Sequence, residues 1–152
     1  MGIIIIIVTA VVLLVCLTGL ILLGYMSQGK SHPMDEMEGH DFEYFCADLL
    51  CKHDFLEVEV TKGSGDYGVD ILAEKEGITY AIQCKCYTEP VGVKAVQEAY
   101  AGRDYYDRMV GAVMTNQYFT APAVSAAKKL KILLWDRGYI DRMMEEQGEH
   151  GN

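Results

Sequence analysis

The chain has 152 residues, of which 51% are hydrophobic, and a formal net charge of −9 at pH 7. All thirteen Lys and Arg and all twenty-two Asp and Glu residues follow residue 29, so this charge belongs entirely to the later part of the chain. The acidic balance excludes a broad basic surface of the kind that usually supplies most of the affinity for nucleic-acid backbones, and leaves only local, metal-assisted or weak contacts.

The first predicted element is a transmembrane helix. Residues 3–23 form a run of 21 residues without charge, and at about 1.5 Å of rise per residue such a helix covers a hydrocarbon core of roughly 30 Å. A cleavable signal peptide is the alternative, but such peptides have a basic n-region, a shorter apolar run and a small-x-small cleavage site. The sequence therefore predicts an uncleaved, single-pass anchor at residues 1–24, followed by a linker at 25–38.

The surroundings of this predicted anchor favour a domain on the cytoplasmic side of the membrane. Lys30 is the only cation near the apolar run, and basic residues close to a span favour the cytoplasmic side. The five cysteines are an odd number and include Cys16 inside the apolar run, which suits a reducing compartment better than a disulfide framework. We therefore expect a membrane protein whose C-terminal domain is cytoplasmic.

Residues 39–152 carry the pattern of one α/β domain. Apolar residues at helical spacing predict a first helix from Asp41, its expected N-cap, to about His53. Alternation with period two then predicts three strands, and the short charged turn between the second and third indicates an antiparallel hairpin. These predicted strands cover residues 56–61, 69–73 and 78–86.

Helices and strands alternate in the second half of the domain. Helical patterns cover residues 92–108, 121–130 and 137–147, and buried-strand patterns cover residues 110–115 and 132–135. This order of elements predicts a mixed sheet with helices on its faces.

Three polar residues are expected to converge on the hairpin. Asp70 begins the second strand after a Gly-rich loop, and Gln83 and Lys85 project from one face of the third because side chains alternate along a strand. Hydrolysis of a phosphodiester needs a divalent cation with oxygen ligands and a group that assists the attacking water. Asp70 is therefore the candidate ligand of Mg²⁺ or Mn²⁺. Gln83 is suited to bind the ion or orient its water, and Lys85 to hold the attacking water or stabilise the developing charge.

Each of these residues also has a purely structural interpretation. An acid after glycines is common in turns, and a lysine is common on a solvated strand. Glu43, the candidate second carboxylate, is also favoured by the dipole at the start of the first helix. The cysteines lack a C-x-x-C pair and are predicted to be core residues rather than zinc ligands. The tyrosines at 100, 105, 106 and 118 are predicted to pack between helix and sheet, with base stacking as the alternative.

Together these motifs resemble the catalytic domain of Mrr-type restriction endonucleases, a QxK variant of the PD-(D/E)XK nuclease superfamily. The resemblance covers about residues 39–140 and rests on Glu43, the Gly-x-Gly-Asp-x-Gly-x-Asp segment that ends at Asp70, and Gln83-x-Lys85. It implies a restriction-endonuclease-like mixed sheet flanked by helices. It also implies that Asp70 is a metal ligand, that Gln83 and Lys85 are active-site residues and that Glu43 is a supporting acid. Asp66 is a further candidate without an assigned role.

The function implied by this resemblance is that of a membrane-anchored, type IV restriction-like DNA endonuclease that uses Mg²⁺ or Mn²⁺. DNA is then the substrate, and a homodimer is an open option because cutting two strands commonly takes two sites. The chain departs from the family pattern in having an anchor instead of a winged-helix targeting domain, and in having Trp135-Asp136 where an Asp-Gly turn is common. A membrane-tethered binding or sensing module without turnover is therefore the alternative, and cleavage of RNA or Holliday junctions would use the same site.

Overall fold

The computed structural model describes residues 1, 2, 4, 7, 12–19, 32–62 and 67–150. It divides into two compact units, Met1–His32 and Pro33–Asn152. In the first unit, residues 12–19 are helical and mostly exposed. No helix among the described residues has both the length and the apolar character needed to cross a membrane. Most of the predicted span at residues 3–23, and the predicted linker up to residue 31, lie outside the described residues.

A five-stranded sheet forms the middle of the second unit. Its strands lie side by side in chain order: β1 (Leu56–Val60), β2 (Ile71–Lys75), β3 (Ile78–Lys85), β4 (Val110–Thr115) and β5 (Ile132–Trp135). The pairs β1–β2 and β2–β3 are antiparallel, whereas β3–β4 and β4–β5 are parallel. The sheet is therefore mixed and contains the predicted hairpin, which confirms both predictions.

Four helices cover the faces of this sheet: α1 (Gly39–Lys52), α2 (Val93–Tyr105), α3 (Ala121–Leu130) and α4 (Arg137–His150). One buried cluster joins α1 and α4 to the sheet and includes Phe42, Ile82 and Ile140. A second cluster joins α2 and α3 to it and includes Val96 and Val113. Since neighbouring residues of a strand point to opposite faces, the two clusters lie on opposite sides of the sheet. The result is a layered helix–sheet–helix arrangement.

The ends of three helices differ from the predicted ones, and the simplest case is α4, which continues to His150. α1 begins at Gly39 with Glu38 as its N-cap, so the prediction that Asp41 caps this helix is wrong. Asp41 lies instead in the first turn, where a carboxylate is stabilised by the helix dipole. α2 ends at Tyr105, earlier than predicted, because Asp107 adopts a left-handed conformation with a φ of 50°. The predicted bounds of β4, α3 and β5 are confirmed.

The segment before α1 belongs to the same compact unit. Pro33–Asp35 form a short 3-10 helix, and Met34 is fully buried in the cluster beneath α1. The thiol of Cys86, directly after β3, donates to the carbonyl oxygens of Met34 and Met37. These contacts hold the end of β3 against the start of the unit.

Candidate functional site

The hairpin brings Asp70 and Gln83 to neighbouring positions. Asp70 directly precedes β2 and continues its ladder, since its backbone N–H donates to the carbonyl oxygen of Ile82 at 2.9 Å. Its own carbonyl oxygen accepts from the backbone N–H of Thr61, also at 2.9 Å. Because the backbone of Asp70 is bonded on both sides, the position of its carboxylate is set by the sheet.

The carboxylate of Asp70 contacts Gln83 directly. Its Oδ2 accepts a hydrogen bond of 2.5 Å from Nε2 of Gln83 and another of 2.6 Å from the backbone N–H of Cys84. Gln83 is 4% exposed, and its Oε1 has no hydrogen-bond partner among the residues that the structure describes. A buried oxygen without a partner costs about 1–3 kcal/mol. Such an atom indicates a place where a ligand fits.

Gly68 makes room for the side chain of Gln83. It has a φ of +79°, and a Cβ at this position would lie 2.8 Å from Oε1 of Gln83 and 2.9 Å from Cβ of Glu98. Both the left-handed backbone and the close approach require glycine. The loop before β2 therefore fits directly against β3 and α2.

Lys85 is paired with an acid that the sequence did not indicate. Its Nζ lies 3.0 Å from Oε2 of Glu98, while Nζ of Lys94 lies 3.5 Å from the other carboxylate oxygen. Burial lowers the pKa of Lys85, but the hydrogen bond and the negative charge of Glu98 outweigh this effect, so the pKa is raised above its ordinary value of 10.5. Lys85 is therefore an ammonium group at neutral pH, suited to stabilise negative charge rather than to accept a proton.

The sequence signal for Glu98 is weak. Glu98 follows Lys94 by four residues in α2, a spacing that is typical of ion pairs on exposed helix faces. Nothing in this pattern indicates that the other carboxylate oxygen faces Lys85. Only the packing of α2 on β3 brings the two groups together.

Glu43 approaches the end of β3 from α1. The pKa of the Cys84 thiol, near the end of β3, is raised well above 9.0, first by a hydrogen bond with Cys46 and then by burial. The negative charges of Asp70 and Glu43 raise this pKa further. Oε2 of Glu43 lies 2.9 Å from Nδ1 of His40. Of the predicted site residues, Asp70, Gln83 and Lys85 thus lie together and Glu43 lies close by. Asp66 lies outside the described residues.

The oxygen atoms of Asp70 and Gln83 fit a cation such as Mg²⁺, which prefers oxygen ligands and keeps water and substrate oxygens among them. Among the described residues, no three His, Cys, Asp or Glu side chains could hold a metal ion by themselves. Mg²⁺ is usually bound through one or two carboxylates together with waters and phosphate oxygens, so the carboxylate of Asp70 and Oε1 of Gln83 are suitable donors. Zinc fits less well, because it binds mainly through Cys and His side chains and the donor atoms here are carboxylate and amide oxygens.

The second unit is similar in sequence to a family of nucleases. Residues 34–144 match the model of the Mrr catalytic-domain family, which is described as a restriction endonuclease. No curated protein matches the chain. Among solved structures, the chain is 25% identical to the protein of unknown function AF1548, with a TM-score of 0.61 over 73% of this chain and 67% of that one.

Two further structures with a similar fold are restriction endonucleases. The DNA modification-dependent restriction endonuclease AspBHI has a TM-score of 0.59 and 18% identity, over 81% of this chain and 38% of AspBHI. The MspJI restriction endonuclease, in complex with a 27-mer oligonucleotide, has a TM-score of 0.55 and 19% identity, over 74% of this chain and 30% of MspJI. The chain therefore spans well under half of either enzyme, and at these identities the likeness shows a restriction-endonuclease-like fold. Because the family model matches most of its length, the chain belongs to the Mrr-type restriction endonuclease family.

Proposed function

We propose that the protein is a metal-dependent endonuclease that hydrolyses DNA phosphodiester bonds, in the manner of type IV restriction enzymes. The observation that carries this proposal is the hydrogen bond from Nε2 of Gln83 to the Asp70 carboxylate, with Oε1 of Gln83 buried and without a partner among the described residues. The ammonium group of Lys85 lies two residues further along β3. Membership of a restriction endonuclease family supports it, and so does MspJI, whose solved structure contains an oligonucleotide.

In this proposal, the carboxylate of Asp70 and Oε1 of Gln83 would hold Mg²⁺ or Mn²⁺. A bound divalent cation supplies positive charge to the phosphoryl oxygens and lowers the pKa of a water ligand. The backbone N–H of Cys84 orients the Asp70 carboxylate, and Gly68 leaves space for the amide of Gln83. Glu43, held by His40, is the candidate second acid at this site.

Lys85 has the role of stabilising negative charge on the phosphate and holding the attacking water. Its raised pKa keeps it protonated, so it offers three N–H donors. Glu98 holds the ammonium group at 3.0 Å, which limits the positions that Lys85 samples. A donor that is already oriented stabilises developing charge without further reorganisation.

The test is cleavage of supercoiled plasmid by the purified full chain in Mg²⁺ or Mn²⁺. We expect nicked or linear DNA from the wild type and a loss of at least about 100-fold in Asp70→Ala, since even outer-shell partners of a metal contribute roughly 10–100-fold. Asp48→Ala is the matched control, because Asp48 is an exposed acid of α1 whose partner is Lys52, and it should cleave like the wild type. A folded wild-type protein that leaves plasmid intact in both metals would contradict the proposal.

A membrane-tethered binding or sensing module is the second candidate function. The net charge of −9 favours it, because an acidic domain has little general attraction for DNA and gains from being held near its partner. This function predicts DNA binding that survives Asp70→Ala together with no cleavage by the wild type. The plasmid experiment and a binding measurement on the same two proteins therefore separate the two candidates.

We also propose that residues 3–23 anchor the protein in a membrane with the second unit on the cytoplasmic side. The uncharged run of 21 residues and Lys30 directly beyond it support this arrangement. Two copies held in one membrane would supply the two sites that cutting both strands of a duplex requires.

A further inference from the structure

Two exposed tyrosines are stacked beside the candidate site. The rings of Tyr67 and Tyr105 have centroids 3.8 Å apart and planes at 26°, and Tyr106 meets Tyr105 edge-on with centroids 5.1 Å apart. Tyr67 and Tyr105 nevertheless remain 58% and 55% exposed. The predicted packing between helix and sheet is therefore wrong for Tyr105, and it is also wrong for Tyr118, which is 54% exposed. Exposed aromatic rings that already stack on each other are suited to a ligand with a flat face.

The loop that carries Tyr67 is the one that fits against Gln83. Tyr67 has a φ of 51°, an unfavourable backbone conformation for a residue with a bulky side chain. It is followed by Gly68, which lies against Oε1 of Gln83. On the helix side, a Cβ added to Gly102 would overlap Cγ2 of Val69 and approach the carbonyl oxygen of Tyr67 to 3.2 Å. Close packing on both sides therefore holds Tyr67 in its strained conformation, and such strain is typical of functional positions.

The stacked pair also lies within reach of the phosphate that would be cut. Glu98 and Tyr105 are seven residues apart in α2, so they lie on one face of the helix and about 10 Å apart along its axis. Since stacked nucleotides rise by about 3.4 Å each, this spacing corresponds to about three nucleotides. A strand whose phosphate lies at Lys85, the partner of Glu98, can therefore extend a base to Tyr105.

We propose that Tyr67 and Tyr105 form a stacking platform for an unpaired base of the DNA strand at the candidate site. This inference rests on the proposed function, because its ligand is the substrate of the same site. Every base has a flat π-face, and stacking on tyrosine needs no positive charge from the protein. With a net charge of −9, attraction to the phosphate backbone is weak, so stacking carries a larger share of the affinity. The preferred substrate is therefore DNA with a single-stranded or distorted segment, since a regular duplex hides the faces of its bases.

The test is equilibrium binding of a fluorescent single-stranded oligonucleotide to the full chain, measured by anisotropy without divalent metal so that no cleavage occurs. Tyr67→Ala and Tyr105→Ala should each weaken binding about fivefold or more, in line with the loss expected when a stacked base loses its aromatic partner. Tyr67→Phe and Tyr105→Phe should retain the affinity, because phenylalanine keeps the ring. Binding of the matching duplex should be weaker and less sensitive to these changes.

Tyr139→Ala is the matched control. Tyr139 also belongs to an aromatic stack, with Trp135 at a centroid distance of 5.7 Å, but it lies on α4, across the sheet from α2. Its replacement should leave single-stranded binding unchanged. Alanine variants that bind like the wild type, or a wild type that does not bind the single strand, would overturn the platform. A wild type that shows tyrosine-dependent binding but never nicks plasmid would support the platform and contradict the endonuclease.

Discussion

Lys85 keeps its positive charge because Glu98 offsets the effect of burial. Burial acts to lower the pKa of Lys85, and the hydrogen bond and charge of Glu98, with smaller effects of Tyr87 and Asp70, raise it above 10.5. Since folding raises this pKa, the pairing stabilises the folded protein fully below pH 10.5, and the contribution is lost as the pH rises through the folded value. Glu98 is thus a positioning residue that acts through Lys85.

Glu98→Gln should make activity sensitive to alkaline pH. Without the charge of Glu98, burial is opposed only by the weaker effects of Tyr87 and Asp70, so the pKa of Lys85 falls. We expect the alkaline limb of the plasmid-nicking rate to move to lower pH in this variant. Lys94→Ala is the control, since Lys94 contacts the same carboxylate but its side chain is 89% exposed. The nicking rate of this variant should fall at the same alkaline pH as that of the wild type. If the nicking rates of Glu98→Gln and the wild type fall at the same alkaline pH, Glu98 does not keep Lys85 protonated.

Three residues of the candidate site could be predicted from the sequence, and a fourth could not. Asp70, Gln83 and Lys85 could be predicted because one hairpin with a short turn fixes their register, and period-two alternation fixes the face of each side chain. Glu98 could not be predicted, because its contact with Lys85 depends on how α2 packs across the sheet. Local spacing carries no information about that packing.

At the scale of elements, glycine lets the loop before β2 pack against α2. Gly102 is buried in α2, and a Cβ at this position would overlap Cγ2 of Val69. Glycine in a helix is unfavourable relative to alanine by about 1 kcal/mol, so its presence here reflects the space that the loop needs. Close packing of this loop holds both Tyr67 and Gly68 in left-handed conformations.

Gly102→Ala should therefore destabilise the protein in spite of the better helix propensity of alanine. Overpacking costs roughly 1–3 kcal/mol, with the upper end expected for an overlap of this size, and propensity returns about 1 kcal/mol. We expect a net loss of about 1–2 kcal/mol in the free energy of unfolding, measured by urea denaturation. Gly39→Ala at the start of α1 is the matched control, because nothing lies within 4 Å of its Cβ position, and it should be neutral or slightly stabilising. Equal stability of Gly102→Ala and the wild type would show that the loop before β2 can shift to accept the added Cβ, and that its packing on α2 is not tight.

Sequence periodicity predicted the elements more reliably than their ends. β4, α3 and β5 could be bounded because each apolar run is short and is flanked by polar or turn-forming residues. The end of α2 could not, because Tyr106, Asp107 and Arg108 continue a plausible helical pattern. The helix ends where Asp107 adopts a positive φ, a conformation that Asp and Asn tolerate better than most residues but that the pattern alone does not require.

At the scale of the whole molecule, the charged residues are confined to the part of the chain that follows the apolar run. Residues 3–23 have no charge, and every Asp, Glu, Lys and Arg follows residue 29. An acidic domain gains little from electrostatic attraction to DNA, so the proposed anchor would raise its local concentration near DNA that crosses the membrane. A chain with a net charge of −9 is only weakly attracted to the phosphate backbone. The proposed anchor and the proposed stacking platform would both compensate for this weak attraction.

The proposed anchor predicts that the full chain sediments with membranes and resists extraction by alkaline carbonate. Each arginine at the centre of a span opposes insertion by roughly 2.5–3.5 kcal/mol, so Leu13→Arg with Leu14→Arg should oppose it by about 5–7 kcal/mol and move the protein to the soluble fraction. The same two charges placed at Ser27 and Gln28, outside the apolar run, should leave it in the membrane and strengthen the cytoplasmic orientation. If the wild type is released by carbonate, the apolar run is not a membrane span, and the domain must find its DNA without a tether.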